Sequence, residues 1–92
     1  MTDPHDLLLH VDGPESFLAF TRALIADRLA ADDAPVSPFG EQGGWANSTI
    51  AQFLEAAVAW AQDSRFGQSQ GLQDANPWRL FGTFLYCGKI YE

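Results

Sequence analysis

Two stretches of the chain are built alike, each opening on a polar capping residue and continuing into an apolar repeat at helical spacing. The first runs Trp45-Ala46-Asn47-Ser48-Thr49-Ile50 into Phe53-Leu54-Glu55-Ala56-Ala57-Val58-Ala59-Trp60. The second runs Asn76-Pro77-Trp78-Arg79-Leu80-Phe81 and closes with Gly88-Lys89-Ile90-Tyr91-Glu92. Together they hold all three tryptophans. A helix with an apolar stripe must bury it against another element, so these segments direct the chain towards helix-on-helix packing.

In the first stretch Ile50, Phe53, Leu54, Ala57, Val58 and Ala61 form a stripe, with Trp60 near its edge. Thr49-Ile50-Ala51-Gln52 matches a capping box, and Asn47 and Ser48 are rival caps. In the second, Asn76 is a cap and Pro77 suits the first helical position. The helix that follows is apolar nearly all round; Gly82 leaves room for a close approach, and Gly88 reads as the residue just past its end. Upstream, Asp12-Gly13-Pro14-Glu15 starts a helix on which Phe17, Phe20, Leu24 and Ile25 recur to about Ala31. Asp3-Pro4 fits a short helical turn through Leu7, Leu8 and Leu9.

Two loops separate these elements. Residues 32–48 contain Pro35, Pro38, Gly40, Gly43 and Gly44, and the segment is longer than most connections, which points to function or mobility. Phe39 and Trp45 are the groups expected to pin it to the core. Residues 65–74 are rich in Gly and Gln, with Phe66 and Leu72 as anchors. The expected fold is all-α: a small single-domain bundle over residues 1–92, with three main helices at about 14–31, 49–63 and 77–87, the short N-terminal turn, and two long loops. Phe20, Leu24, Phe53, Leu54, Val58, Trp78, Phe81 and Leu85 are expected to form the core.

The net charge of −7 is unevenly placed. Residues 1–46 carry eight acids against Arg22 and Arg28, a balance of −6; residues 47–92 carry four against Arg65, Arg79 and Lys89, a balance of −1. Such a surface repels phosphate backbones and anionic lipids, so nucleic acid and membranes are not the expected partners. It steers a basic protein partner towards itself. The acidic N-terminus lacks the basic region of a signal peptide, Cys87 has no second cysteine to pair with, and no apolar run reaches about 20 residues; these point to a cytoplasmic protein.

No catalytic constellation emerges. His5 and His10 with Asp3, Asp6 and Asp12 are the only concentrated metal-capable set, but a separation of five puts the two rings about 140° apart on a helix. Cys87 sits in an apolar helix far from either histidine and reads as a buried structural thiol. Glu55 is the best single carboxylate candidate, though a lone acid does not make a hydrolase site. The glycines at 40, 43 and 44 lack the strand and lysine of a phosphate loop. Neither a cofactor nor a metal is expected.

The motifs W-x-N-x-T-I-x-x-F-L-E-A-A-x-A-W, N-P-W-x-x-F and G-K-I-Y-E, with E-S-F-L-x-F from Glu15 to Phe20, resemble a family of small bacterial proteins of unknown function over about residues 13–92. The resemblance implies a compact bacterial domain and brings no reaction or catalytic residue. The favoured expectation is a non-catalytic protein-interaction module, an immunity- or antitoxin-like inhibitor of a basic partner, contacting it through Asp32, Asp33, Glu41 and Trp45. The alternative is a small-molecule-binding or regulatory domain with an aromatic pocket lined by the tryptophans.

Overall fold

A computed structural model describes residues 3–91, and the chain within it is all-helical. Helix α1 spans Pro4–Leu8, α2 Pro14–Ala31, α3 Ile50–Ser64 and α4 Pro77–Ile90, with a single 3-10 turn at Gln68–Gln70. Val36, Gln42 and Trp45 form isolated bridges, and no sheet is present among the described residues. No helix among them is long and apolar enough to cross a membrane.

Side chains with a free acceptor start the helices. Asp3 accepts from the His5 N–H at 2.9 Å, Thr49 from Gln52 at 3.1 Å, and Asn76 from Arg79 at 2.9 Å. Thr49 is thus the cap of α3, while Gln52 reaches back to the Ser48 N–H at 3.2 Å. Gly13 precedes α2 without a side chain to offer; Ser16 compensates by accepting from the Gly13 N–H at 3.2 Å. Past Ser64, Arg65 and Phe66 both take left-handed conformations, which turns the Phe66 ring onto Phe84 at 5.6 Å.

The centre of the fold is α4, against which α1, α2 and α3 all pack. Phe20 is fully buried (0% exposed) beside Leu8, Val11, Leu24 and Ala31, and Trp60 is buried on α3. The expected core is corrected in half its members: Leu54, Val58, Trp78 and Phe81 are exposed, Phe81 at 53%. On α3 the side facing α4 carries Phe53, Ala56, Ala57, Trp60 and Ser64, so close packing uses small residues and Leu54 lies about 100° away round the helix from Phe53.

Gly88 explains both that geometry and a second correction. It is not the residue past the helix end; α4 runs on to Ile90, three residues beyond the expected stop at 87. A Cβ at Gly88 would lie 2.7 and 2.8 Å from Phe53 ring carbons and 2.8 Å from the Phe53 carbonyl oxygen. The helix continues because the loop over residues 32–48 satisfies its terminal carbonyls. Ala46 N–H donates to Lys89 O at 2.9 Å, and the Asn47 amide donates to Gly88 O at 3.0 Å and Tyr91 O at 2.9 Å. Ordinarily alanine in place of a mid-helix glycine gains about 1 kcal/mol. Overpacking against a backbone atom costs about 1–3 kcal/mol. Gly88→Ala should therefore lower the thermal midpoint, and a rise would show that Phe53 does not sit on this glycine.

Candidate functional site: an apolar trough beside an acidic loop

Helices α2 and α3 flank α4 and pack on it without packing on each other. Helix α1 packs on α2 and α4, its Leu8 meeting α4 at Gly82. The gap between α2 and α3 stays open as a trough of about 410 Å³. Leu24, Ile25 and Leu29 form its α2 wall, Ile50 and Phe53 its α3 wall, and Leu85 comes from α4. Further exposed apolar residues lie outside the trough lining on the same helices. Leu18 lies two turns before Ile25, Leu54 and Val58 follow Ile50 at successive fourth positions, and Phe81 precedes Leu85 by one turn. All four of these flanking residues are exposed, and Ile50 itself is 81% exposed.

One end of the trough is closed by a polar cluster. The Trp45 indole N–H donates to Asp27 Oδ2 at 2.9 Å, and Lys89 Nζ donates to the same oxygen at 2.7 Å. Arg28 lies over the indole, its guanidinium carbon 5.1 Å from the ring centroid, and pairs with Asp32 at 2.8 Å. Arg28 Nη1 is buried without a hydrogen-bond partner, so the indole face is the compensation available to this cation.

The loop over residues 32–48 is held rather than loose. Gln42 donates its amide to Asp32 O and Ala34 O, at 3.2 and 2.9 Å, and exchanges backbone hydrogen bonds with Trp45. Gly43 has φ +57, and a Cβ there would fall 2.7 Å from the Ala31 Cβ, so the turn presses directly on the end of α2. Trp45 pins the loop as expected, but Phe39 does not: it is 92% exposed.

Of the sequence-designated site residues, Asp32, Asp33 and Glu41 are exposed on this loop. Trp45 is only 5% exposed, and what it presents is part of the trough wall. The other two tryptophans do not join it there. Trp60 donates to Gln70 at 2.9 Å beneath Phe66, and Trp78 packs on Phe17 at 5.7 Å. Glu55 borders a shallow hollow with Gln52 and Tyr91, whose hydroxyl donates to Asp63. That hydrogen bond raises the Tyr91 pKa.

No three His, Cys, Asp or Glu side chains among the described residues are grouped as a metal ion would need. His5 packs its ring on Tyr86, 5.5 Å away. Burial pushes the Cys87 thiol up to about 11, so the thiolate is scarce at neutral pH. Folded protein at pH 8 should therefore react with iodoacetamide far more slowly than the denaturant-unfolded chain. Equal rates would mean that Cys87 is accessible as the thiolate.

Sequence reading missed the trough walls. Their signal was present: Leu18, Ile25 and Leu29, and separately Ile50, Leu54 and Val58, form stripes beside the stripes that are buried.

The fold and site define a small α-helical domain with one face of its helical layer left open. The chain belongs to DUF7660, a family of unknown function, which matches residues 14–92. Helix α1 lies before that segment, yet Leu8 and Val11 contribute to the core. Comparison with curated proteins and with solved structures found no match.

Proposed function

We propose that the domain is a non-catalytic protein-interaction module that binds a basic protein partner, as an immunity- or antitoxin-like inhibitor in the cytoplasm would. The observation that carries this reading is an open apolar trough bordered by an acidic loop in a chain of net charge −7. The apolar surface supplies affinity on contact, and the acids supply steering during approach. The loop's internal hydrogen bonds hold Asp33 and Glu41 in place without using their carboxylates, and Asp32 shares its charge with Arg28. A fixed set of charges loses little entropy when a partner docks.

Capture from the native host with the wild-type domain and with an Asp32→Lys, Asp33→Lys, Glu41→Lys variant as baits identifies a partner. Surface plasmon resonance across salt concentrations then measures its association. The expected result is an association rate that falls as salt rises and falls again with the triple reversal, because exposed charges are screened within about 10 Å at 0.1 M salt. The substitutions should leave the fold intact: all three side chains are exposed, and an i,i+4 pair such as Arg28–Asp32, with Asp32 62% exposed, is worth only about 0.3–0.5 kcal/mol. An association rate indifferent to both salt and reversal contradicts the proposal.

A second reading, a small-molecule site, draws on the trough's size and on Trp45 and Phe53 in its wall. It predicts saturable binding of compact aromatic or aliphatic ligands that is insensitive to salt.

A further inference from the structure

We infer that the trough between α2 and α3 seats a single amphipathic helix from a cationic protein, laid along α4. This inference rests on the basic-partner reading above and names how that partner is held. The architecture leaves a vacancy of helical form: α4 is flanked by α2 and α3, which do not meet, and α1 packs on α2 and α4 but not on α3. From Thr21 to Leu29 the α2 wall rises about 12 Å at ~1.5 Å per residue, enough for about two turns of an occupant. Its apolar residues at i, i+3 or i+4, and i+7 would meet Ile25 and Leu29 on one wall and Ile50 and Phe53 on the other.

Charge selects the kind of helix. A second copy of this chain would bring another −7 to the interface, so electrostatics disfavour self-association through this face. Two of the chain's five cations, Arg28 and Lys89, are already engaged with Asp32 and Asp27. The exposed acids Asp33 and Glu41 lie on the loop that closes the Trp45 end, where Asp32 pairs with Arg28, the charged residue of the trough lining. The outward face of the occupant should therefore carry lysine or arginine.

The test uses a labelled 18-residue peptide with leucines at a helical i, i+3, i+4, i+7 repeat and lysines elsewhere. An isomer with scrambled order and a version with glutamate for lysine serve as controls. Fluorescence anisotropy should show saturable binding of the lysine peptide alone, weakened at least tenfold by Ile25→Glu combined with Ile50→Glu. Both positions are exposed, so circular dichroism should report an unchanged fold.

Equal binding of the scrambled or glutamate peptide overturns the inference, as does a trough variant that binds normally. Sedimentation of the free chain as a dimer that the trough variant dissociates also overturns it, because the face would then be closed by a second copy. Weakening by the loop triple reversal but not by the trough variant sinks the trough inference and leaves the basic-partner reading standing. Weakening by the trough variant alone, with no effect of the reversal, supports the helix seat and removes the acidic loop from the recognition.

Discussion

Phe20→Ala should cost the domain about 3–5 kcal/mol, measured by urea denaturation. Phe20 is fully buried at the junction of α1, α2 and α4, where Leu8 and the bare face of Gly82 close over it. Truncation removes the ring's transfer free energy and leaves a cavity that three helices must collapse to fill. A domain of 92 residues holds roughly 5–14 kcal/mol in total, at ~0.05–0.15 kcal/mol per residue, so this single change removes a large share of its stability. Phe81→Ala is the matched comparison: the same chemistry on α4, but with about half the ring already in water. It should cost about 1 kcal/mol or less. Equal losses for the two variants would mean that the face bearing Phe81 is buried in the protein as it exists in solution.

Asp27→Ala should have the next largest effect, about 2–4 kcal/mol. The carboxylate accepts from both Lys89 and the Trp45 indole through one oxygen. Its removal leaves the Lys89 ammonium, on a side chain only 11% exposed, without a counter-charge, together with an unpaired indole N–H. Breaking a fully buried pair from one side costs about 3–5 kcal/mol. Asp27 keeps 22% of its side chain in solvent, which relaxes that figure somewhat. The variant should also release Trp45 and the loop it anchors, seen as a red-shifted emission and faster acrylamide quenching. Replacing both partners, as Asp27→Leu with Lys89→Met, should recover much of the stability, because no orphan charge remains. A double variant worse than Asp27→Ala would contradict the assignment of the loss to an uncompensated ammonium.

The helices were legible from their ends. Caps at Asn76 and Thr49 and prolines at 4, 14 and 77 act through local backbone geometry, which a sequence displays directly. Which stripe of each helix is buried was not legible. On α3 a leucine, a valine and an isoleucine lie outside while two alanines lie inside, because Gly88 and the alanines let α3 approach α4 closely. Periodicity identifies apolar stripes but not the partner that selects between them. Gly88 was misread for a related reason: a glycine near a helix end signals a stop unless something packs on it, and here Phe53 does. The motif residues Trp45, Asn47, Asn76 and Lys89 prove to be fasteners. Asn76 donates to Val11 O at 3.0 Å, and the other three fix the loop over residues 32–48 to α2 and α4. Long-range hydrogen bonds of this kind leave no periodic trace. The acidic residues of the candidate surface were visible from charge alone, whereas the trough beside them depends on α2 and α3 failing to meet.

A nuclear magnetic resonance titration of the isotopically labelled domain with the lysine-bearing amphipathic peptide tests the docking trough most directly. Amide shifts are expected to be largest along the two walls and floor, at Ile25, Leu29, Ile50, Phe53 and Leu85, with smaller shifts at Asp33 and Glu41. Shifts confined to the loop, or centred on the α1 side of the layer near His5 and Tyr86, would contradict it.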